Sequence, residues 1–248
     1  MSTIKTCRIL GVNIAVTNMA QTVQYIENNL EELRGKYICV SNVHTTVMAH
    51  DNPAYRNVQN SAAIALPDGK PLSVVSRKRG YTEAERVTGP DLMGELFARE
   101  NGLKHFFYGD KEETLQILQQ KLKEKYPNIQ IAGMISPPFR SLSQEEEKTY
   151  IQQINDSGAD IVWIGLGAPK QENWMYEHQG MLHGVMIGVG AGFSYHAGLI
   201  KRAPEWMQKM SLEWFYRLMQ DPVRLFKRYF TTNLKFMLLE AKDKGEVL

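Results

Sequence analysis

The sequence predicts an α/β fold, in which a mainly parallel sheet carries helices on both faces and a helical appendage follows at the C-terminus. Short apolar, β-branched runs alternate with amphipathic helical patterns over about the first 200 residues, and this alternation is typical of a parallel sheet. It stops near Gly198, after which only helical patterns occur. We therefore predict an α/β core over residues 1–200 and an appendage over residues 201–248.

Six apolar runs are the predicted strands of the core. They cover residues 37–43, 62–68, 104–110, 129–135, 159–167 and 184–192, and a hairpin is predicted before them at 7–18. Between the strands, the segment "KEETLQILQQKLKEKY" (111–126) places Leu115, Leu118 and Leu122 on one helix face. Ser143, followed by acidic residues, is the predicted N-cap of another helix.

The appendage is predicted to hold two basic, aromatic helices, over about 204–220 and 222–243. Asp221 is the expected N-cap between them, and Pro222 takes the first helical position. From Lys201 to Met237 there are eight basic residues, three acidic residues and eight aromatic residues. Such a surface suits contact with an anionic membrane, and a solvated basic face is the alternative interpretation.

Composition limits the classes of protein to consider. The chain has 248 residues, is 43% hydrophobic and has a net charge of +2, which fits a globular protein with a substantial core and argues against a polycation. Cys7 and Cys39 lie in apolar runs without metal or redox spacing, as buried thiols in a reducing compartment do. No signal peptide and no run of 18 apolar residues occur. We expect a cytosolic protein that contacts a membrane without spanning it.

Polar side chains follow several predicted strands at their carboxyl ends, where open parallel sheets bind ligands. Asn42 lies at the end of the first of the six runs and His44 follows it, Asp68 ends the second, and Lys170 and Gln171 follow "IGLGAP". Each also has a structural interpretation. Asp68 could cap the helix that begins near residue 69, and His44 could be a structural histidine.

Two glycine turns also follow strands, and their candidate ligand-contacting residues are Gly165, Gly167, Gly190 and Gly192. The turns read "GLGAP" (165–169) and "GVGAG" (188–192), and neither completes G-x-G-x-x-G. No Walker A pattern is present either. The familiar dinucleotide fingerprint is therefore disfavoured, whereas close approach of the backbone to a nucleotide or sugar stays open.

No metal site and no cofactor are predicted. The six histidines lack H-x-x-x-H and H-E-x-x-H spacing, and no D-x-D pair occurs. A nucleotide diphosphate would have to be neutralised by arginine, lysine and backbone N–H groups. Arg217, Arg224 and Arg228 are spaced by 7 and 4 residues, and guanidinium groups suit bidentate contact with phosphate.

Asn42 together with four segments, in this order, carries a resemblance to a known family. The segments are "LPDG", "RVTGPDL" (86–92), "GLGAPKQE" (165–172) and "EWFYRLMQDPVRLFKRY" (213–229). The sequence resembles the WecG/TagA/CpsF family of bacterial glycosyltransferases from about residue 8 to 238. The resemblance implies a Rossmann-like core and metal-independent, inverting transfer from a UDP-sugar to a polyprenyl-diphosphate-linked saccharide. It also implies work at the inner face of the cytoplasmic membrane, with the appendage completing the active site.

The resemblance also assigns roles by position. The catalytic base falls on Asp68, the active-site arginine on Arg86, and substrate contacts on Asn42 and Gln171. The appendage arginines fall on Arg217 and Arg224, with Lys227 and Arg228 beside them. N-acetylmannosamine is the expected sugar, ahead of glucose and N-acetylmannosaminuronate, for teichoic acid or another surface polysaccharide. The acceptor's identity and a homo-oligomeric state are left open.

Two other classes of protein remain alternatives at this point. Sheet architecture and glycine turns alone would also fit a nicotinamide-dependent oxidoreductase, although the fingerprint is broken. A membrane-recruited scaffold without enzymatic activity would use only the basic appendage. Nucleic acid is not an expected partner, because the basic residues concentrate at one end of the chain.

Overall fold

The fold is an eight-stranded sheet with helices, described here by a computed structural model of residues 4–99, 101–204, 206–207, 210 and 212–243. Three side chains on the C-terminal helix, those of Arg224, Lys227 and Arg228, lie outside this description. The strands are β1 (Thr6–Ile9), β2 (Val12–Ala15), β3 (Tyr37–Ser41), β4 (Ile64–Pro67), β5 (Lys104–Gly109), β6 (Gln130–Ile135), β7 (Ile161–Gly165) and β8 (Val185–Gly188). The six predicted strands and the predicted hairpin are confirmed.

The strands lie in the order β1-β2-β4-β3-β8-β7-β5-β6. β1 and β2 pair antiparallel, and the other neighbours pair in parallel. Parallel neighbours need crossover connections, which the intervening helices provide. The carboxyl ends of β4, β3, β8, β7, β5 and β6 consequently meet at one edge of the sheet.

The helices follow the predicted alternation through the core. They are α1 (Met19–Asn28), α2 (Leu30–Leu33), α3 (Val43–Asp51), α4 (Pro53–Ser61), α5 (Lys70–Lys78), α6 (Gly89–Phe97), α7 (Glu112–Lys125), α8 (Gln144–Asp156), α9 (Lys170–Glu177), α10 (Gly192–His196), α11 (Glu213–Gln220) and α12 (Pro222–Lys242). The predicted inward face of α7 is buried at Leu115, Leu118 and Leu122. Ser143 caps α8 in a capping box with Glu146, as predicted.

The core consists of two apolar layers, one on each face of the sheet. β7 shows how one strand serves both, since Val162 and Ile164 belong to one layer and Ile161 and Trp163 to the other. Successive side chains of a strand point to opposite faces, so a strand covered on both faces is mostly apolar. The predicted burial of the two cysteines, Cys7 and Cys39, is confirmed, and both are free thiols.

The C-terminal helices differ from the prediction at one boundary. α12 begins at Pro222 as predicted, but the predicted helix over about 204–220 is interrupted: Trp206 and Met207 are helical, and α11 begins only at Glu213. Before it, the Leu212 N–H donates to the Met207 carbonyl, five residues earlier, at 2.8 Å. A hydrogen bond of this span is typical of a helix C-terminus, so this turn and α11 are separate helical segments.

The far half of α12 is tied to the core by charge pairs and apolar contact. Lys235 Nζ lies 2.7 Å from Asp51 Oδ2, on α3. Arg79 Nη2 lies 2.6 Å from Glu240 Oε1 and 3.2 Å from Asp243 Oδ2. Two apolar side chains of α12 are also buried, Leu225 near its start and Phe236 in its far half. The assignment of residues 201–248 to a separate unit stays a prediction.

Candidate active site

The predicted site residues Asn42 and Asp68 follow two neighbouring strands. β3 and β4 pair in parallel with Ser41 beside Pro67, and the Asp68 N–H donates to the Ser41 carbonyl at 2.7 Å. The pairing therefore ends with Asn42 and Asp68 adjacent at the carboxyl edge of the sheet. This edge is where parallel α/β sheets bind ligands.

The Asp68 carboxyl does not cap a helix, so the capping interpretation is wrong. α5 begins at Lys70, and its N-cap is Gly69, which makes no side-chain cap hydrogen bond. Gly69 has a φ of 99°, which glycine adopts at low cost and which turns the chain sharply after β4. The Asp68 side chain is left half-buried at the strand end.

The surroundings of Asp68 raise its affinity for a proton. Burial is the main cause, and the pKa of the carboxyl rises to about 6. The positive charges of Arg86 and Arg217 pull this pKa down, and the negative charges of Glu213 and Asp91 push it up. A carboxylate with a pKa just below neutrality is ionised at pH 7 and still accepts a proton well, as a general base must.

Arg86 is held between the core and the appendage. The neighbouring Val87 N–H donates to the Pro67 carbonyl at 2.8 Å, which lays this segment along β4. Arg86 Nη1 donates to Glu213 Oε2 at 2.7 Å, and Nη2 lies 3.9 Å from Asp91 Oδ2. Sequence reasoning missed Glu213, whose only signal was its place at the start of the segment "EWFYRLMQ".

Tyr195 on α10 and Arg217 on α11 meet beside Asp68. The guanidinium carbon of Arg217 lies 5.7 Å from the centre of the Tyr195 ring, within the range of a cation–π contact. Burial raises the pKa of Tyr195, and the charges of Arg217 and Asp68 both act on it. The predicted Arg217 is thus near Asp68, whereas the side chains of Arg224, Lys227 and Arg228 are outside the described residues.

The side-chain amide of Gln171 joins the two glycine turns. Its Oε1 accepts the N–H of Gly167 at 3.2 Å and the N–H of Gly190 at 3.0 Å. Its Nε2 donates to Glu172 Oε1 at 2.8 Å. Both side chains are buried, so the Gln171 amide fixes the turns after β7 and β8 relative to each other.

A buried polar network continues from Glu172 to the end of β3. Ser41 Oγ donates to Gln59 Oε1 at 2.6 Å, and Gln59 Nε2 donates to the Tyr55 hydroxyl at 2.9 Å. That hydroxyl contacts Glu172, whose pKa is raised by burial. Of the two oxygens of this carboxyl, Oε1 accepts the Gln171 amide and Oε2 is buried without a hydrogen-bond partner among the described residues. The network links the strand before Asn42 to the glycine turns.

The four predicted glycines meet conformational and packing requirements at these turns. Gly167 and Gly190 have positive φ values of 77° and 53°. A Cβ on Gly165 would lie 2.7 Å from the Phe193 ring, and one on Gly192 would lie 2.6 Å from the sulfur of a methionine on α6. The role of these glycines in contacting a ligand stays a prediction.

The remaining predicted residues lie at the same edge in different settings. Asn42 is the N-cap of α3, and its Oδ1 accepts the N–H groups of His44 at 3.0 Å and Thr45 at 3.2 Å. His44 is half-buried in the first turn of α3. Lys170 is exposed at the start of α9. Helix capping is thus one function of Asn42, and the predicted substrate contact would use the rest of its amide.

Two further residues at this edge were not predicted. Asp110 follows β5 with a φ of 58°, and its Oδ2 accepts the Ser194 hydroxyl at 3.1 Å. Phe139, in the loop after β6, has 80% of its surface exposed. An exposed aromatic ring beside a ligand-binding edge is suited to stacking, and neither residue belongs to a motif that could have identified it.

Many large apolar side chains are exposed along α11, α12 and the segment before them. This outer apolar face consists of the exposed side chains of Trp206, Met210, Trp214, Phe215, Met219, Val223, Phe226, Phe230, Leu234, Met237 and Leu238. The rings of Phe226 and Phe230 stack on it, 6.1 Å apart. In the described ranges no helix is both long and apolar enough to cross a membrane. The described residues also bring together no group of three or more metal-ligating side chains.

Comparison with known proteins identifies the chain as a glycosyltransferase. The model of the glycosyl transferase WecG/TagA/CpsF family matches residues 7–246, and the chain belongs to that family, which confirms the resemblance. An N-acetylglucosaminyldiphosphoundecaprenol N-acetyl-beta-D-mannosaminyltransferase of Bacillus subtilis (strain 168) is 32% identical over 233 residues, 92% of this chain and 88% of the relative. The protein of the same name from Staphylococcus aureus (strain MW2) is 30% identical over 241 residues, 95% of this chain and 93% of the relative.

Membership of the family decides between the classes of protein left open by the sequence. The chain is an enzyme of the glycosyltransferase class, so the oxidoreductase and scaffold alternatives are wrong.

Proposed function

We propose that this chain transfers N-acetylmannosamine from a UDP-sugar to N-acetylglucosaminyl-diphosphoundecaprenol. The names of the relatives support this acceptor and a β-linked mannosaminyl product, over more than nine-tenths of this chain. The observation that supports the chemistry is Asp68, a half-buried carboxyl at a strand end, with a pKa of about 6 and no capping role. The product would serve teichoic acid or related surface-polymer synthesis.

The proposed reaction is a single displacement. The Asp68 carboxylate takes the proton of an acceptor hydroxyl while that oxygen forms a bond to the anomeric carbon of the donor. The bond from this carbon to the UDP oxygen breaks at the same time, and its electron pair leaves with UDP. One displacement inverts the anomeric carbon, and general-base assistance of this kind contributes roughly 10²–10⁴-fold.

Arginine side chains are proposed to stabilise the charge of the diphosphate. Arg86 and Arg217 both act electrostatically on Asp68, so a diphosphate bound beside this carboxyl would meet both guanidinium groups. Fixed positive charges aimed at a leaving phosphate stabilise the transition state where charge develops. We propose that these groups supply the neutralisation for which other transferases use a divalent cation.

The outer apolar face is proposed to rest on an anionic membrane. Aromatic and aliphatic side chains alternate with basic residues along α11 and α12, a pattern of helices that lie in the membrane interface. An undecaprenol-linked acceptor is held in the bilayer, and UDP-sugars are made in the cytoplasm. The inner face of the cytoplasmic membrane is therefore the proposed place of work.

The test of the catalytic role compares D68N with D156N, in which an exposed α8 aspartate undergoes the same chemical change. Transfer from UDP-N-acetylmannosamine to a short-chain N-acetylglucosaminyl-diphosphate lipid should fall by about 10²-fold or more in D68N alone. Near-normal turnover by folded D68N would refute the base assignment. A panel with UDP-glucose, UDP-N-acetylglucosamine and UDP-N-acetylmannosaminuronate identifies the donor, and preference for any of these would refute the proposed sugar.

The fold of D68N should survive the substitution. The native pKa of Asp68, about 6, lies above the value of about 4 in unfolded chains, so the native state holds this proton more tightly. Stability therefore falls as the pH rises between about 4 and 6. D68N removes the ionisable carboxyl and with it this loss of stability. The unfolding midpoint of D68N at pH 7 should therefore equal or exceed that of the wild type.

A further inference from the structure

Four charged side chains of alternating sign form a closed ring between the core and α11. Arg86 pairs with Glu213 at 2.7 Å, and Glu213 lies 3.7 Å from Arg202. Arg202 pairs with Asp91 on α6, and Asp91 lies 3.9 Å from Arg86. The ring joins three separate chain segments, and Glu213 is its member on α11.

Glu213 is not an ordinary surface partner in this ring. Its side chain is only 19% exposed, against 25% for Arg86, and its two oxygens face different guanidinium groups. Exposed ion pairs contribute little because water and salt screen them, whereas a partly buried carboxylate acts strongly on its neighbours. The position of Glu213 therefore bears on every charge nearby.

Asp68 is one of those neighbours. In the described residues the ion pairs of Arg86 are with Glu213 and Asp91, and none joins it to Asp68. The charged and titratable groups that act on Asp68 are Arg86 from the segment before α6, Asp91 on α6, Tyr195 on α10, and Glu213 and Arg217 on α11. Glu213 thus pairs with Arg86, the cation with the largest electrostatic effect on Asp68. It also adds its own negative charge.

Docking of the appendage does not depend on Glu213 alone. The far half of α12 has its own pairs, from Arg79 to Glu240 and from Lys235 to Asp51. Glu240 and Glu213 are therefore two appendage glutamates with the same kind of partner, an arginine of the core. They differ in that only Glu213 lies close enough to affect Asp68.

We propose that Glu213 is a positioning residue of the transfer reaction, which keeps the Arg86 guanidinium from closing onto Asp68 and so leaves that carboxylate available as a base. The proposal rests on the proposed role of Asp68. It implies that α11 completes the active site through a carboxylate, in addition to any arginine that it contributes.

The experiment compares wild type, E213Q and the matched control E240Q, all as full-length protein. The protonation midpoint of Asp68 is read directly by carbon-13 NMR of aspartate-labelled protein, with the resonance assigned by its loss in D68N. Loss of the negative charge in E213Q should lower this midpoint by on the order of half a pH unit or more. E240Q should leave it unchanged.

Activity supplies the second measurement. We expect kcat of E213Q to fall about tenfold with little change in the KM of the donor, and the acidic limb of its pH profile to move to lower pH with the midpoint. E240Q should keep the wild-type profile. If E213Q does not fold, E213D retains the charge and shortens the side chain by one methylene, and it should lose kcat with a smaller change in midpoint.

The outcomes separate the two proposals. An unchanged Asp68 midpoint in E213Q, or an equal change in E240Q, would overturn the role of Glu213. Full transfer by D68N would instead refute the base assignment, and this can be seen whatever E213Q does. Loss of transfer in D68N with a wild-type profile in E213Q would leave the proposed function intact and refute only the positioning role.

Discussion

The two sides of the candidate active site are built in different ways. On one side, Gln171 and Glu172 fix the glycine turns through hydrogen bonds buried in the core. On the other, Arg86 is held by Glu213, which belongs to a helix 127 residues further along the chain. The first side forms when the sheet forms. The second forms only when α11 docks, and it is held by partly exposed charge pairs. The two sides should therefore respond differently to truncation, substitution and pH.

Truncation after residue 200 should have the largest effect on transfer, because it removes one side of the candidate site and leaves the other. It removes Glu213 and Arg217 and leaves the buried network of the core in place. We expect transfer to fall by more than about 10²-fold even with a soluble acceptor analogue, because charge stabilisation beside Asp68 is lost. Truncation also exposes the core surface that Leu225 and Phe236 cover, so folding is checked first by circular dichroism. Full activity of the folded, truncated protein would refute a role for the appendage in the site.

E172Q should damage the other side of the site. The new amide group would face donors from Gln171 and Tyr55, and an unsatisfied buried donor costs about 1–3 kcal/mol. We expect the free energy of unfolding in urea to fall by that amount and the KM for the UDP-sugar to rise. E177Q makes the same change at an exposed position of the same helix. Equal behaviour of the two variants would argue that the network has no positioning role.

The pH dependence of transfer should reflect the charge balance of Asp68. Its pKa is about 6, and the ionised form is the base, so the rate should be constant above about pH 7 and fall as the pH is lowered through 6. Between pH 7 and pH 5 the expected decrease is about tenfold. A profile without this limb in wild type, measured where the protein stays folded, would contradict the assignment of Asp68.

Substitution on the outer apolar face should have the smallest effect on chemistry. In F226A/F230A two exposed, stacked rings are removed, and neither contacts the site described above. Transfer to a soluble acceptor should be unchanged, whereas binding to vesicles that contain anionic lipid should weaken. An F139A variant is the control, since it removes one exposed ring elsewhere. Equal loss of vesicle binding in both would refute the assignment of this face to the membrane.

The sheet was predictable because its signals are local. Each strand is a short apolar run, and the residues at its carboxyl end follow directly in sequence, which is why Asn42 and Asp68 could be placed at one edge. The cap at Ser143 and the start of α12 at Pro222 are likewise local. The boundary of α11 was missed because a hydrogen bond from Leu212 to Met207 ends the preceding turn. No residue preference at these positions predicts that hydrogen bond.

The partners of the site residues were less accessible to sequence reasoning. The resemblance predicts an active-site role for Arg86, but its pairing with Glu213 depends on how α11 docks. Tyr55 and Gln59 on α4 have no motif at all, and they matter because Ser41 and Glu172 approach them in the fold. Contacts between residues far apart in the chain depend on packing, which periodicity does not report.

The orientation of α12 has a consequence for how the enzyme meets its acceptor. The helix has 21 residues, about 30 Å at 1.5 Å per residue, and one of its faces lies on the core while the other is apolar and outward. If that outer face lies flat on the bilayer and the acceptor is lipid-linked as proposed, the acceptor reaches the candidate site by lateral diffusion and never enters bulk water. The concentration that governs turnover is then a surface density, in molecules per unit area of membrane, and diluting the lipid acceptor with inert lipid should slow the reaction even when its total amount is constant.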